Sequence, residues 1–220
     1  MLKKLTEEKL AEILEAGISE FAAHGPDRAS MAVIAKQAGT SVGVLYKYYA
    51  DKETFFMACL RRSLDVLESV INQVLAQEQK ILGYAEQLLR AVQRYAREHE
   101  AYIRMYLAIT VSPAPYSVRL AEEIEGFTAR IYPKFLAQAQ SRGDIRADAD
   151  PGLFAFFFDN LLMMMQFSYS SDYYRRRFQL YCGADILDDD DRVVRELLKF
   201  LESAFTLEQA QIKHRLEGTP

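Results

Sequence analysis

From Thr6 onward the apolar residues Leu10, Ile13, Leu14, Ile18 and Phe21 recur at three- and four-residue steps, with charged residues between them. That spacing lays one apolar stripe along an amphipathic helix, and Thr6 is a suitable N-cap for it. Gly25 and Pro26 end the helix, because glycine closes it in a left-handed conformation and proline cannot continue it. Ser30 then opens a short second helix with Met31, Ile34, Ala35 and Ala38 inward, closed by Gly39, and Thr40 or Ser41 opens a third over 42–48. Two short helices joined by a few residues, with glycine in the turn, have the spacing of a helix-turn-helix.

Phe56, Leu60, Leu64, Leu67, Ile71 and Val74 predict a long fourth helix from Asp51 to about residue 79. Ile81, Tyr84, Leu88, Val92 and Tyr95 mark a fifth, and a sixth over 100–110 halts before Pro113 and Pro115. Leu120, Ile124, Phe127, Ile131 and Phe135 mark a seventh, and Asp150-Pro151 begins an eighth. The acidic run 188–191 leads into a ninth, with Val194, Leu197, Leu198, Leu201 and Phe205 inward. Nothing alternates with period two for long enough to make a strand. The expected fold is all-α, with about nine helices: a three-helix head over 1–52 and a helical body over 53–220. The segment 153–167 is apolar on every side, which predicts a helix covered on two faces. Asp159, Asn160 and Gln166 interrupt it, and it is shorter than the roughly 20 apolar residues of a membrane span.

Composition narrows the function classes. Half of the 220 residues are hydrophobic, with only 10 Gly and 6 Pro, which excludes a disordered chain and a turn-dense β-sandwich. Cys59 and Cys182 are too few for a disulfide framework or a cysteine zinc site, which fits a reducing cytoplasm, and no apolar signal core follows Lys3-Lys4. The net charge is −4, yet residues 21–52 carry Arg28, Lys36, Lys47 and Lys52 against Asp27 and Asp51, so the head reverses the sign of the whole.

The order Phe21, Gly25, Ser30, Ile34-Ala35, Ala38-Gly39, Ser41-Val42-Gly43-Val44-Leu45-Tyr46, Tyr48-Tyr49 and Lys52-Glu53 resembles the TetR/AcrR family of bacterial transcriptional regulators. Tyr49 departs from the family's commoner phenylalanine, and Thr40 from its usual aliphatic residue. The physics of the motif agrees: Ser41, Val42 and Gly43 are small, so the third helix can bring its backbone close to base edges in a major groove. Hydroxyls and lysines around them suit phosphate oxygens. The resemblance implies that Ser30 and Thr40 bind phosphate, that Ser41, Val42, Gly43 and Lys47 face bases, and that Tyr46 and Lys52 clamp phosphates. Tyr49 is expected at the same double-stranded DNA interface. A base contact discriminates by about 1–3 kcal/mol, so one such head cannot specify a genomic site, and a homodimer on a palindromic operator is expected.

The body concentrates aromatic residues and the run Met163-Met164-Met165, which suits either an adaptable apolar pocket or plain core. Tyr95, Tyr102, Tyr106, Phe127, Phe158, Asp159 and Met165 are the candidate lining of an effector pocket. By resemblance the last two helices form the dimer interface, for which Phe154, Phe157, Leu161, Leu197, Leu201 and Phe205 are candidates. The resemblance further implies a repressor released when an apolar or aromatic effector moves the sixth helix against the fourth. A DNA-bound scaffold gripping a protein partner is the alternative, and a helical enzyme the weakest reading. His24, His99 and His214 lie apart from any nucleophilic constellation, and consecutive aspartates point in different directions, so no catalytic residue, metal or cofactor is expected.

Overall fold

The computed structural model describes residues 5–76, 80–110 and 116–206, apart from the side chains of residues 116, 119 and 120. Among the described residues ten α-helices follow one another: α1 (Glu7–Arg28), α2 (Met31–Gln37), α3 (Val42–Tyr48), α4 (Lys52–Leu75), α5 (Ile81–Glu98), α6 (Glu100–Thr110), α7 (Tyr116–Ser141), α8 (Pro151–Ser170), α9 (Asp172–Cys182) and α10 (Asp190–Thr206). No strand occurs among the described residues, so the all-α expectation holds.

Local chemistry sets most of these boundaries. Thr6, Ser30, Ser41, Asp51 and Asp150 each accept a backbone N–H of the first turn that has no partner inside the helix. Gly25 breaks α1 with φ 72°, and Pro26 starts one further turn in its place. The fourth helix is shorter than its apolar spacing predicts: Ala76 caps it, and residues 77–79 of the predicted extension lie outside the described residues. Pro113, Pro115, Lys3 and Lys4 lie outside them as well.

The prediction of nine helices missed α9. Its sequence, Asp172 to Cys182, contains three consecutive arginines and buries no residue fully, and its apolar spacing is short, carried by the half-buried Tyr174, Phe178 and Cys182. Its Tyr174 ring packs on Phe167 of α8 at 5.4 Å, and that surface contact holds it.

In the head, α1 packs against α2 and α4, and α2 against α3. Phe21 meets Phe55 and Phe56 of α4, at 5.9 and 4.8 Å between ring centres, so the first turns of α4 close the core of the head. In the body, α5 and α8 are central, with α7, α9 and α10 around them. The acidic run ties α10 to α5: Arg97 pairs with Asp190 at 2.7 Å, Arg90 pairs with Asp191 at 2.6 Å, and Asp189 accepts the Arg192 N–H. Tyr169 donates its hydroxyl to Asp190 beneath the Arg97 guanidinium.

Within the chain the eighth helix is covered on one face. Ala155, Leu162, Met165, Phe167 and Tyr169 are buried, while Leu153, Phe156, Phe157 and Met164 are exposed.

Candidate nucleic-acid interface and effector body

The short α2 and α3 are held by a turn that needs Gly39, which sits at φ 59°. Leu45 anchors α3, buried to 1%, and turns the opposite face outward. That face carries Ser41, Gly43, Tyr46 and Lys47, all exposed, with Val42 half-buried at its edge. Tyr46 keeps 47% of its surface free. A Cβ built on Gly43 would meet only Ser41 Oγ, at 3.9 Å, so internal packing does not require glycine there. The bare backbone is open to an outside surface.

The remaining candidates in the head have internal partners. Ser30 caps α2 through its hydroxyl, and its N–H donates to the buried Glu20 carboxylate at 3.0 Å. Thr40 is half-buried in the turn. Tyr49 packs edge-on against Phe55 at 4.8 Å, and burial pushes its phenol up. Lys52 Nζ donates to the Asp27 and Ala29 carbonyls at 2.7 and 3.4 Å, fastening the start of α4 to the end of α1. Arg28 and Lys36 are exposed on the same head.

One joint links this head to the body. The principal neighbour of α6 is α1, with a slighter contact to α4. Tyr102 on α6 donates its hydroxyl to Glu15 on α1 at 2.6 Å, and Arg62 on α4 approaches the same carboxylate at 3.4 Å. Gly17 lets α1 and α4 touch, because a Cβ there would stand 2.6 Å from Cys59 Sγ and the Phe55 ring. The Cys59 thiol is buried in that contact and pushed well above its ordinary value by desolvation.

The body holds an apolar cavity of about 20 Å³ between α4, α5, α7, α8 and α10, lined among others by Leu88, Tyr84, Tyr132, Phe135, Phe158 and Phe205. Tyr84 and Phe135 meet edge to face across it at 4.6 Å. Of the seven pocket candidates, Phe158 alone lines this cavity. Tyr95 donates to the Ser63 carbonyl toward α4, and Tyr102 belongs to the α1 joint. Phe127 is half-buried on α7. Met165 is buried, at the floor of an outer groove between α8, α9 and α10.

Tyr106 and Asp159 meet a residue that the sequence reading did not select, Glu125. Tyr106 donates its hydroxyl to the Glu125 carboxylate, with Met163 Sδ 3.0 Å away. Burial together with the Glu125 charge pushes Asp159 up to about 7. Glu125 follows Ile124 in the apolar stripe of α7, and a carboxylate one step off such a stripe was the available signal.

The six dimer candidates divide. Phe157 is 57% exposed, and Leu161 and Leu197 line the outer groove, whereas Leu201 and Phe205 are buried and the Phe154 ring lies 6.2 Å from Phe205. Exposed Leu153, Phe156, Met164 and Phe200 extend the outward set. No helix among the described residues is long and apolar enough to cross a membrane, and no three metal-ligating side chains converge among them.

Residues 13–59 match the family of bacterial regulatory proteins, tetR family. The nucleoid occlusion factor SlmA of Haemophilus ducreyi is 27% identical over 129 residues, 57% of this chain and 64% of its own. The HTH-type transcriptional regulator HbdR of Aromatoleum is 30% identical over 92 residues, 42% of this chain and 39% of its own. The matches therefore span less than two thirds of those relatives. Among solved structures, the transcriptional regulator FadR from Bacillus subtilis in complex with stearoyl-CoA superposes with a TM-score of 0.68 at 17% identity, covering 86% of this chain and 97% of that one. Its likeness concerns the fold.

Proposed function

On the match of residues 13–59 to the tetR family of bacterial regulatory proteins, we propose that the chain is a repressor that binds a palindromic operator as a homodimer and is released by an apolar effector. The observation that carries the reading is the outward face of α3, where Ser41, Gly43, Tyr46 and Lys47 are exposed and no internal packing explains Gly43. In this reading residues 1–52 are the DNA-binding domain and 53–220 the effector and dimerisation domain. Ser41, Val42, Gly43 and Lys47 read bases, while Tyr46 and the hydroxyls of Ser30 and Thr40 meet phosphate. Tyr49 and Lys52 support that surface from behind, through the Phe55 ring and the Asp27 carbonyl.

Two copies would meet through the outer faces of α8 and α10, where Phe156, Phe157, Met164 and Phe200 are exposed. The effector would enter the body between α5, α7 and α8. A cavity of about 20 Å³ admits no organic molecule, so a ligand must widen it. It would then bind one arrangement of the helices better than the other, the requirement for induction. The wholly apolar and aromatic lining favours an acyl chain or another apolar body, in keeping with the stearoyl-CoA bound by the similar FadR.

The test is selection of bound duplexes from a random pool, followed by affinity measurements at two salt concentrations for the wild type and Tyr46→Ala. An enriched inverted repeat, bound less tightly at higher salt and at least tenfold more weakly by the variant, supports the proposal. The absence of an enriched site refutes it. A second reading, a DNA-bound scaffold whose body holds a protein partner, draws on the likeness to the nucleoid occlusion factor and on Tyr173, Leu180 and Tyr181 exposed along α9. An operator affinity that no acyl-CoA or apolar compound alters would favour that second reading.

A further inference from the structure

An open groove of about 360 Å³ runs between α4 and α5, over Val74, Gln87, Ala91 and Arg94. Val74 also lines the apolar cavity, so the two spaces share a wall. Gln87 carries a buried Oε1 that accepts no hydrogen bond, and among the described residues it is the one buried side-chain polar atom in that state. A buried acceptor without a donor is unfavourable, and native folds rarely keep one. Two turns further along α5, about 10 Å by the rise of the helix, Arg94 is exposed on the same groove. It forms no ion pair or hydrogen bond among the described residues, whereas Arg90 beside it is held by Glu86 and Asp191 at 3.0 and 2.6 Å. Helical side chains lean toward the N-terminus, which shortens the span from Arg94 to Gln87. The other polar groups of the groove are engaged or remote. Gln73 donates to Ser69, Tyr95 donates to the Ser63 carbonyl, the His99 ring stacks on Tyr102, and Glu98 is exposed one turn beyond Arg94.

We propose that this groove holds the polar head of the effector: the tail fills the widened cavity, and the head emerges past Val74 with an amide N–H on Gln87 Oε1 and an anionic group on Arg94. One unused acceptor and one unused cation beside an apolar space select an amphipathic molecule over a plain hydrocarbon. A plain fatty acid brings the anion and leaves the Gln87 acceptor unmet. An acyl chain whose head carries both an amide and an anion satisfies both groups. An N-acyl amino acid has that chemistry, and so has an acyl thioester of an amide-bearing, phosphorylated carrier. The position also gives the head group leverage. Val70, Gln73 and Val74 belong to the helix whose first turns close the core of the DNA-binding head, so a group wedged between α4 and α5 bears on that helix directly.

This inference rests on the apolar-effector reading, and its test separates the two. Isothermal titration calorimetry of the full chain compares dodecanoate, N-dodecanoylglycine and dodecanoyl-CoA on the wild type, Gln87→Leu and Arg94→Gln. The wild type is expected to bind N-dodecanoylglycine or dodecanoyl-CoA about tenfold more tightly than dodecanoate, because only the amide-bearing heads reach the orphaned acceptor. That preference should fall below about threefold in Gln87→Leu, while Arg94→Gln should weaken every anionic ligand by about fivefold. Whichever amide-bearing ligand loses more in Gln87→Leu identifies the head that the groove takes. Gln87→Leu should melt no lower than the wild type, since the acceptor it removes has no partner in the fold. A preference that survives Gln87→Leu, or a lower Tm in that variant, overturns the head-group site. Binding of all three compounds without loss in either variant refutes the groove alone, and failure of all three to bind the wild type refutes the effector reading with it.

Discussion

Replacing Gly17 by alanine inserts one methyl group into the contact between α1 and α4, on which the orientation of the head depends. Its Cβ would lie 2.6 Å from Cys59 Sγ and from two atoms of the Phe55 ring, a full van der Waals overlap. Neither neighbour can retreat: Phe55 and Cys59 are fully buried, and the Phe55 ring is braced by Tyr49 and Phe21. Overpacking of this kind costs about 1–3 kcal/mol, offset by roughly 0.5–1 kcal/mol because alanine is the better helix former. The net loss centres on about 1 kcal/mol, or a fall in Tm of about 2–4 °C for a chain of this size. Gly126→Ala supplies the control. It has the same helix propensity gain, but its Cβ meets only the tip of Arg130, at 3.1 Å, and a flexible guanidinium can move aside. That variant should melt about 1–4 °C higher than the wild type. Differential scanning calorimetry of the two variants gives shifts of opposite sign. If Gly17→Ala were as stable as Gly126→Ala, the close approach of α1 and α4 would not be what requires glycine.

Three further outcomes follow from particular side chains. The Asp159 carboxyl is held at about 7 against an ordinary 3.8, so the folded chain keeps a proton that the unfolded chain has released. Its contribution to stability is whole below about pH 4 and is lost as the pH rises through 7, so Asp159→Asn should gain on the wild type over that window, by about 4 kcal/mol at most, in denaturant titrations at pH 4 and pH 8. A gain that is the same at both pH values would contradict the assignment. Phe157→Glu puts a charge on the outward face of α8, where a partner would bury it; sedimentation should show dissociation to a monomer of unchanged helix content, whereas an unaltered dimer would move the interface elsewhere. Lys47→Ala should weaken operator binding with a shallower salt dependence if it meets phosphate, and with altered sequence preference if it meets a base.

The helices with one wet and one dry face were legible in the sequence, because the 3.6-residue period is written directly in the order of apolar residues. The helix-turn-helix was legible for the same reason, together with local signals at Ser30, Gly39, Ser41 and Asp51 that act within a few residues of themselves. The helix α9 was not, since its short apolar spacing is masked by three consecutive arginines and it is held mainly by contact with α8. Beyond its helices, the lining of the body was legible only as a set of aromatic residues. Whether Tyr102 lines a cavity or ties α6 to Glu15, and whether Phe205 points outward or into the core beside Phe154, depends on how far each helix is rotated about its axis when it packs. Glu125 and Asp159 are 34 residues apart and acquire a common chemistry only when α7 lies against α8. Short-range capping and periodicity are properties of a segment, and the sequence by itself determines them. The joint at Gly17, the small cavity and the paired carboxylates are properties of distances between segments, and the tertiary packing alone decides those.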